Sequence, residues 1–289
     1  MALSVDPLWP RAGDWPSPQG RADVALVGIP THETSLSATG AAATPAAVRA
    51  AMRYYSEFAG RPLELRFADH GDLENPDRRE SEAIDEFAAI DASLVIALGG
   101  DNAATVIAAL GRWGSRTASA GLVTLDAHHD LRDGVSNGSP VRRLVEAGLS
   151  GSRIVQVGIA DFANSAEYAK RAADYGITVV HRDELHGRPM ADVMAEALDI
   201  AGSAGGPIHV DLDVDVCDRS VAPACPASIP GGISAHELRT VARVAGRHPL
   251  VESIDLAEVD ATADSPDGRT VRLSALCVLE AAAGWGERA

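Results

Sequence analysis

The chain has 289 residues, 46% of them apolar and only 4% aromatic, and a net charge of −16. That charge excludes a nucleic-acid binder built on phosphate neutralisation and argues equally against an anionic membrane surface. Three cysteines, Cys217, Cys225 and Cys277, without C-x-x-C spacing indicate neither a disulfide framework nor a thiolate zinc site. The N-terminus lacks the apolar core of a signal peptide, and no apolar run approaches the roughly 18 residues of a membrane helix. The expectation is a cytoplasmic protein.

Residues 1–21, rich in Pro and Gly, read as an irregular arm. DVALVGIP (23–30) is the first buried strand, followed by a loop and a helix over 46–58. A helix over 81–92 leads into the strand SLVIAL (93–98), which stops at Gly99-Gly100-Asp101-Asn102 before a helix from Ala103. Strand 120–125, helix 140–148, strand 153–159, helix 166–175 and strand 177–180 follow. Helix 189–201, strand 207–213, helix 234–245, strand 251–256 and a helix over 271–283 complete the chain. Short apolar strands alternating with helices predict an α/β fold, a parallel sheet covered on both faces. No repeat or linker divides it, so one domain is expected over 1–289.

Two acidic clusters stand at strand ends: Asp126-Ala127-His128-His129-Asp130 and Asp213-Val214-Asp215. In an extended strand, residues two apart share a face, so Asp126, His128 and Asp130 align, as do Asp213 and Asp215. Four carboxylates and an imidazole brought together repel unless cations lie between them. Carboxylate and imidazole donors suit Mn²⁺, and a pair of such ions makes water nucleophilic near neutral pH. Other polar positions are less pointed. Gly99–Asn102 fits a turn and helix cap. Glu258 suits a solvated strand end. Arg132 suits either the surface or a carboxylate clamp. His209 reads as a buried, hydrogen-bonded histidine, and His32 and Glu33 as loop residues.

Taken in order, LGGDN, LDAHHDLR, DVDVCDRSVAPA and DLAEVD resemble the motifs of the arginase/agmatinase/formimidoylglutamase family, the ureohydrolases. The likeness runs from VGIP near the start to the closing DGRTVRLSALCVLEAA. It implies a three-layer arginase-like α/β fold around a mostly parallel eight-stranded sheet. It also implies hydrolysis of a C–N bond in a guanidino or formimino group with two Mn²⁺ ions per chain. By position, Asp126 and Asp213 bridge both ions, Asp130 completes the first site, and His128 and Asp215 complete the second. Glu258 resembles the carboxylate that pairs with the substrate's amidine, and Asp130 the group that moves the proton. The family's usual first ligand is a His; here it is Asn102, a weaker donor, which implies a weak or empty first site. Arg219 replaces a customary Pro.

The stretch Asp130-Leu131-Arg132, then Ser136-Asn137-Gly138-Ser139-Pro140, is similar to that of formimidoylglutamases. The resemblance implies that Arg132 binds a glutamyl carboxylate, with Asn137 and Ser139 adding polar contacts. The expected reaction converts N-formimidoyl-L-glutamate and water to L-glutamate and formamide. The alternatives are an agmatinase or guanidino-acid hydrolase releasing urea, and a non-catalytic relative with a weakened metal site. A small amino-acid-derived substrate is the expected partner, and the family's habit implies a homo-oligomer.

Overall fold

A computed structural model describes residues 3–288. Its sheet has eight strands: β1 (Ala22–Ile29), β2 (Phe67–Asp72), β3 (Ala92–Gly99), β4 (Gly121–Leu125), β5 (Ile154–Ile159), β6 (Thr178–His181), β7 (Ile208–Asp213) and β8 (Val251–Ala257). Their order is β2-β1-β3-β8-β7-β4-β5-β6, and every pairing is parallel. Parallel strands need crossovers; seven of the eight helices in the described residues supply them, and the eighth follows the last strand. These are α1 (Thr44–Met52), α2 (Glu80–Ala88), α3 (Ala104–Trp113), α4 (Pro140–Glu146), α5 (Ala166–Tyr175), α6 (Met190–Ala201), α7 (Ala235–Arg247) and α8 (Arg269–Trp285). Among the described residues no helix is long and apolar enough to cross a membrane.

The central strands carry continuous apolar runs because helices cover both faces. Val24, Leu26 and Ile96 face the side closed by α1, α6, α7 and α8. Ala25, Val27 and Val95 face α2 and α3. Helix ends follow local chemistry. Ser234 and Glu237 form a reciprocal capping box at the start of α7, and Gly176, at φ 75°, closes α5 in the left-handed region.

The seven strands expected from the pattern are present, with ends displaced by no more than one residue. The helix expected over 81–92 closes at Ala88, since β3 already begins at Ala92, and three further expectations need correction. β2 was missed: FADHGD buries only Ala68, so it has no apolar alternation to detect. It is held at the sheet edge by backbone pairing to β1 and by the Arg49 guanidinium of α1. That group meets Asp69 at 2.7 and 2.9 Å and Asp72 at 2.5 Å. The first helix ends at Met52, not near 58. Past Met52 the helical bonds give way to tighter turns, Tyr54 N–H on Ala51 O and Tyr55 N–H on Met52 O, both at 3.0 Å. The third correction concerns the acidic clusters. β4 stops at Leu125, and Val214–Val216 is a 3-10 turn, so strand parity does not align their side chains.

Candidate metal centre

Turns at the carboxyl ends of the central strands gather the acidic residues. Leu125 of β4 pairs with Leu212 of β7, so Asp126 and Asp213 leave the sheet side by side. Each then folds its own chain back. Asp126 Oδ1 accepts from His128 N–H at 2.6 Å, and Asp213 Oδ1 accepts from Asp215 N–H at 2.8 Å. These are Asx-type turns, the local habit of Asp at a strand end. Asp130 has φ 52° and Glu258 φ 61°, left-handed values that bulky side chains rarely adopt. Both carboxyls are turned by this backbone into one cavity of about 420 Å³, whose lining also includes His128, Asp213 and Asp215.

Inside the cluster, His128 Nδ1 and Asp215 Oδ2 lie 2.6 Å apart, and Asp215 Oδ1 accepts from Ala127 N–H at 2.8 Å. One ligand atom from each of Asp126, His128 and Asp215 falls within a common 4.8 Å. Burial raises the pKa of Asp126 well above the ordinary carboxylate range, and the charges of Asp130 and Asp215 raise it further. Asp213 moves the same way for the same reasons, its neighbours being Asp215 and Asp126. Burial lifts Asp130 to about 7 and Glu258 to about 8. His128 is pulled down by burial but raised on balance to about 9 by its bond to Asp215, whose own pKa falls below normal against its burial. Such a crowd of anions is stable only when protons or cations neutralise it. Asp126 Oδ2 is buried and accepts no hydrogen bond among the described residues, which leaves it free as a metal ligand. Hard oxygen donors with one imidazole fit a Mn²⁺-type ion.

Asn102 sits at the hub of the polar side. Its backbone N–H donates to Glu258 Oε1 at 2.8 Å and its Nδ2 to Asp130 Oδ2 at 2.7 Å. Its Oδ1 accepts from Thr105 Oγ1 at 2.6 Å. The carboxamide thus presents its donor side, not its oxygen, to Asp130. The tight turn before it needs glycine: a Cβ on Gly100 would stand 2.0 Å from Thr31 O.

Asn137 Nδ2 also donates to Glu258 Oε1, at 2.7 Å. Arg132 lines the cavity, with its guanidinium 6.0 Å from the Tyr168 ring and no carboxylate partner among the described residues. The loop that presents it is closed by Arg132 N–H on Gly138 O at 2.9 Å, and a Cβ at Gly138 would press to 2.8 Å from Arg132 Cδ. Ser139 does not line the cavity. It is buried, and its hydroxyl binds Ser136 O at 2.8 Å while accepting from Ser136 N–H, so it shapes the loop from within. His209 is fully buried between Ser253 and Asp255, as expected. His32 and Glu33 are exposed loop residues.

Several cavity residues escaped the sequence reading: Leu36, Asn164, Tyr168, Pro226 and Ala227. None carries a charge or a motif, and they arrive from four separate loops or helix starts. Arg219 proves constructive rather than merely tolerated. Its Nη1 donates to Cys225 O at 2.8 Å and Pro226 O at 3.1 Å, fixing one wall of the cavity.

Comparison with known proteins agrees with this geometry. The arginase family model matches residues 22–284. A formimidoylglutamase from Halalkalibacterium halodurans is 31% identical over 259 residues, 83% of this chain and 80% of its own. The crystal structure of formimidoylglutamase from Bacillus subtilis superposes with a TM-score of 0.91 at 26% identity, covering 99% of this chain and 95% of that one. A Trypanosoma cruzi formiminoglutamase solved with Mn²⁺ shares the fold at 22% identity and TM-score 0.86, covering 97% and 99%. The chain belongs to the arginase family.

Proposed function

We propose that this protein, acting as one domain, is a manganese-dependent formimidoylglutamase that hydrolyses N-formimidoyl-L-glutamate to L-glutamate and formamide. The observation that carries the reading is the meeting of three features in one cavity: an acidic cluster, the buried carboxyl of Glu258, and the unpaired cation of Arg132. A substrate with an amidinium at one end and carboxylates at the other matches that polarity.

Asp126, Asp213, Asp130, His128 and Asp215 would hold two Mn²⁺ ions, with Asn102 beside the weaker site. Bound there, the ions supply Lewis acidity that activates water at neutral pH and draws charge from the reacting carbon. The chain's own groups do the rest. Asn102 N–H and Asn137 Nδ2 both spend themselves on Glu258 Oε1, which leaves Oε2 to take the amidinium N–H. Arg132 fixes the glutamyl carboxylates and so sets the formimino carbon at the acidic end. Asp130 accepts the proton of the attacking water and delivers it to the glutamate nitrogen as the C–N bond breaks. The water oxygen ends in formamide.

The direct test is product analysis of Mn²⁺-loaded protein given N-formimidoyl-L-glutamate, agmatine or 4-guanidinobutyrate. Formamide from the first is expected; urea from either of the others, with no formamide, rejects the assignment. Arg132→Ala is expected to raise KM about 10- to 100-fold with a smaller change in kcat, the scale of one lost charged hydrogen-bond pair. Steady-state kinetics check this, and an unchanged KM removes Arg132 from the substrate site. A calorimetric Mn²⁺ titration is expected to resolve two ions per chain, one weaker. Light scattering tests the homo-oligomer, and cell fractionation the cytoplasmic location, that complete this reading.

A further inference from the structure

Cys225 is fully buried and lies outside every thiolate pattern in the sequence. The fold nevertheless brings it to the acidic cluster. Its Sγ and one carboxylate oxygen each from Asp213 and Asp215 lie within 4.8 Å of one another. Metal–oxygen bonds of about 2.1 Å and metal–sulfur bonds of about 2.3 Å reach across about 4.4 Å at most, so an ion bound here draws the three side chains inward from that outer limit. Asp215 belongs both to this group and to the Asp126–His128–Asp215 group. The cluster therefore has two faces, one of oxygen and nitrogen, the other of oxygen and sulfur. Asp126, whose Oδ2 is buried without a hydrogen-bond partner among the described residues, belongs to the oxygen-and-nitrogen face.

The backbone that carries the thiol is held in place. Arg219 Nη1 and Ser228 Oγ donate to Cys225 O at 2.8 and 3.1 Å, and Cys225 N–H donates to Ala222 O at 3.3 Å. The shortest of these bonds comes from Arg219.

Hard oxygen donors favour manganese or magnesium, whereas a sulfur donor favours thiophilic ions. We propose that Asp213, Asp215 and Cys225 form a second coordination face that takes a thiophilic divalent ion, Cd²⁺ or Zn²⁺, in competition with manganese. This rests on the metal-binding reading of Asp213 and Asp215 but not on the choice of substrate.

The test is a Cd²⁺ titration of the metal-free, full-length protein, followed by calorimetry and by ultraviolet absorption. A thiolate-to-cadmium charge-transfer band is expected in the wild type and in Cys217→Ser, and its loss in Cys225→Ser. The ratio of Cd²⁺ to Mn²⁺ affinity should fall at least about tenfold in Cys225→Ser, the lower end of what even outer-layer changes cost. Cadmium binding without the band, or a band that survives in Cys225→Ser, overturns the proposal while leaving the manganese centre standing. Failure of both ions to bind overturns the centre and this face together. Should Cys225→Ser not fold, ¹¹³Cd NMR of the wild type decides: a shift typical of sulfur ligation supports the face, and one typical of oxygen and nitrogen alone rejects it.

Discussion

Asp213→Asn and Asp126→Asn are expected to abolish turnover and weaken Mn²⁺ binding more than about 100-fold, beyond the range of outer-layer substitutions. Both side chains leave the sheet together from paired strands, so each is surrounded by the other anions of the cluster. Either substitution removes one charge but keeps side-chain volume and the oxygen that accepts the turn N–H, at His128 or Asp215. The metal-free variants should therefore melt at or above the metal-free wild type, because a crowded buried charge has been deleted. The same variants should lose most of the Mn²⁺-induced rise in Tm, since that rise reports binding to the folded state. Calorimetry and melting curves with and without Mn²⁺ check both halves. A variant that binds Mn²⁺ like the wild type and turns over substrate would remove these carboxylates from the centre.

Much of this centre was legible because its chemistry is written in consecutive residues. Asp126 to Asp130 and Asp213 to Asp215 each follow an apolar run, and a parallel sheet collects such run ends at one edge. The way the side chains converge was not legible. Strand parity suggested one shared face, whereas the chain leaves the strands and relies on Asx turns and on positive φ at Asp130 and Glu258. Nothing in a list of residue types marks a non-glycine position for that conformation. Glu258 read as an ordinary solvated carboxylate because its partners, Asn102 N–H and Asn137, lie 156 and 121 residues away. Ser139 shows the opposite failure. Its motif placed it with the substrate contacts, but its hydroxyl is consumed inside the loop.

β2 marks the limit of periodicity as a signal. An edge strand with one buried residue is defined by its neighbour and by the ion pairs of Arg49, all of which are long-range facts. The same holds for Asp211 and Asp255. Their register, Asp211 opposite Asp255 on β7 and β8, puts two buried carboxyls together one pleat below Asp213. Along the sequence each is merely a polar residue in an apolar strand.

The metal-free protein should lose stability as pH rises from about 4 to about 9, and Mn²⁺ should restore it. The sign follows from the groups themselves. Asp130, ordinarily at 3.8, is lifted to about 7, and Glu258, ordinarily at 4.5, to about 8, chiefly by burial. Between those values the folded chain holds protons that the unfolded chain has released, so stability declines as pH climbs through the window. His128, raised from 6.5 to about 9 by Asp215, adds stability that is complete below 6.5 and gone above about 9, which continues the decline. Asp215, lowered by His128, contributes in the other direction but only below its ordinary value of 3.8. For Asp130 alone the effect is at most about 4 kcal/mol, and each kcal/mol is worth about 2 °C in a chain of this size. Mn²⁺ binding needs the same carboxyls deprotonated, so its stabilising effect should grow over the same interval. Melting curves of chelator-treated protein at about pH 5 and about pH 8, with and without Mn²⁺, measure both trends. A metal-free Tm that stays level or rises, or a Mn²⁺ increment that shrinks with pH, would show that these buried carboxyls are not held as a mutually repelling cluster.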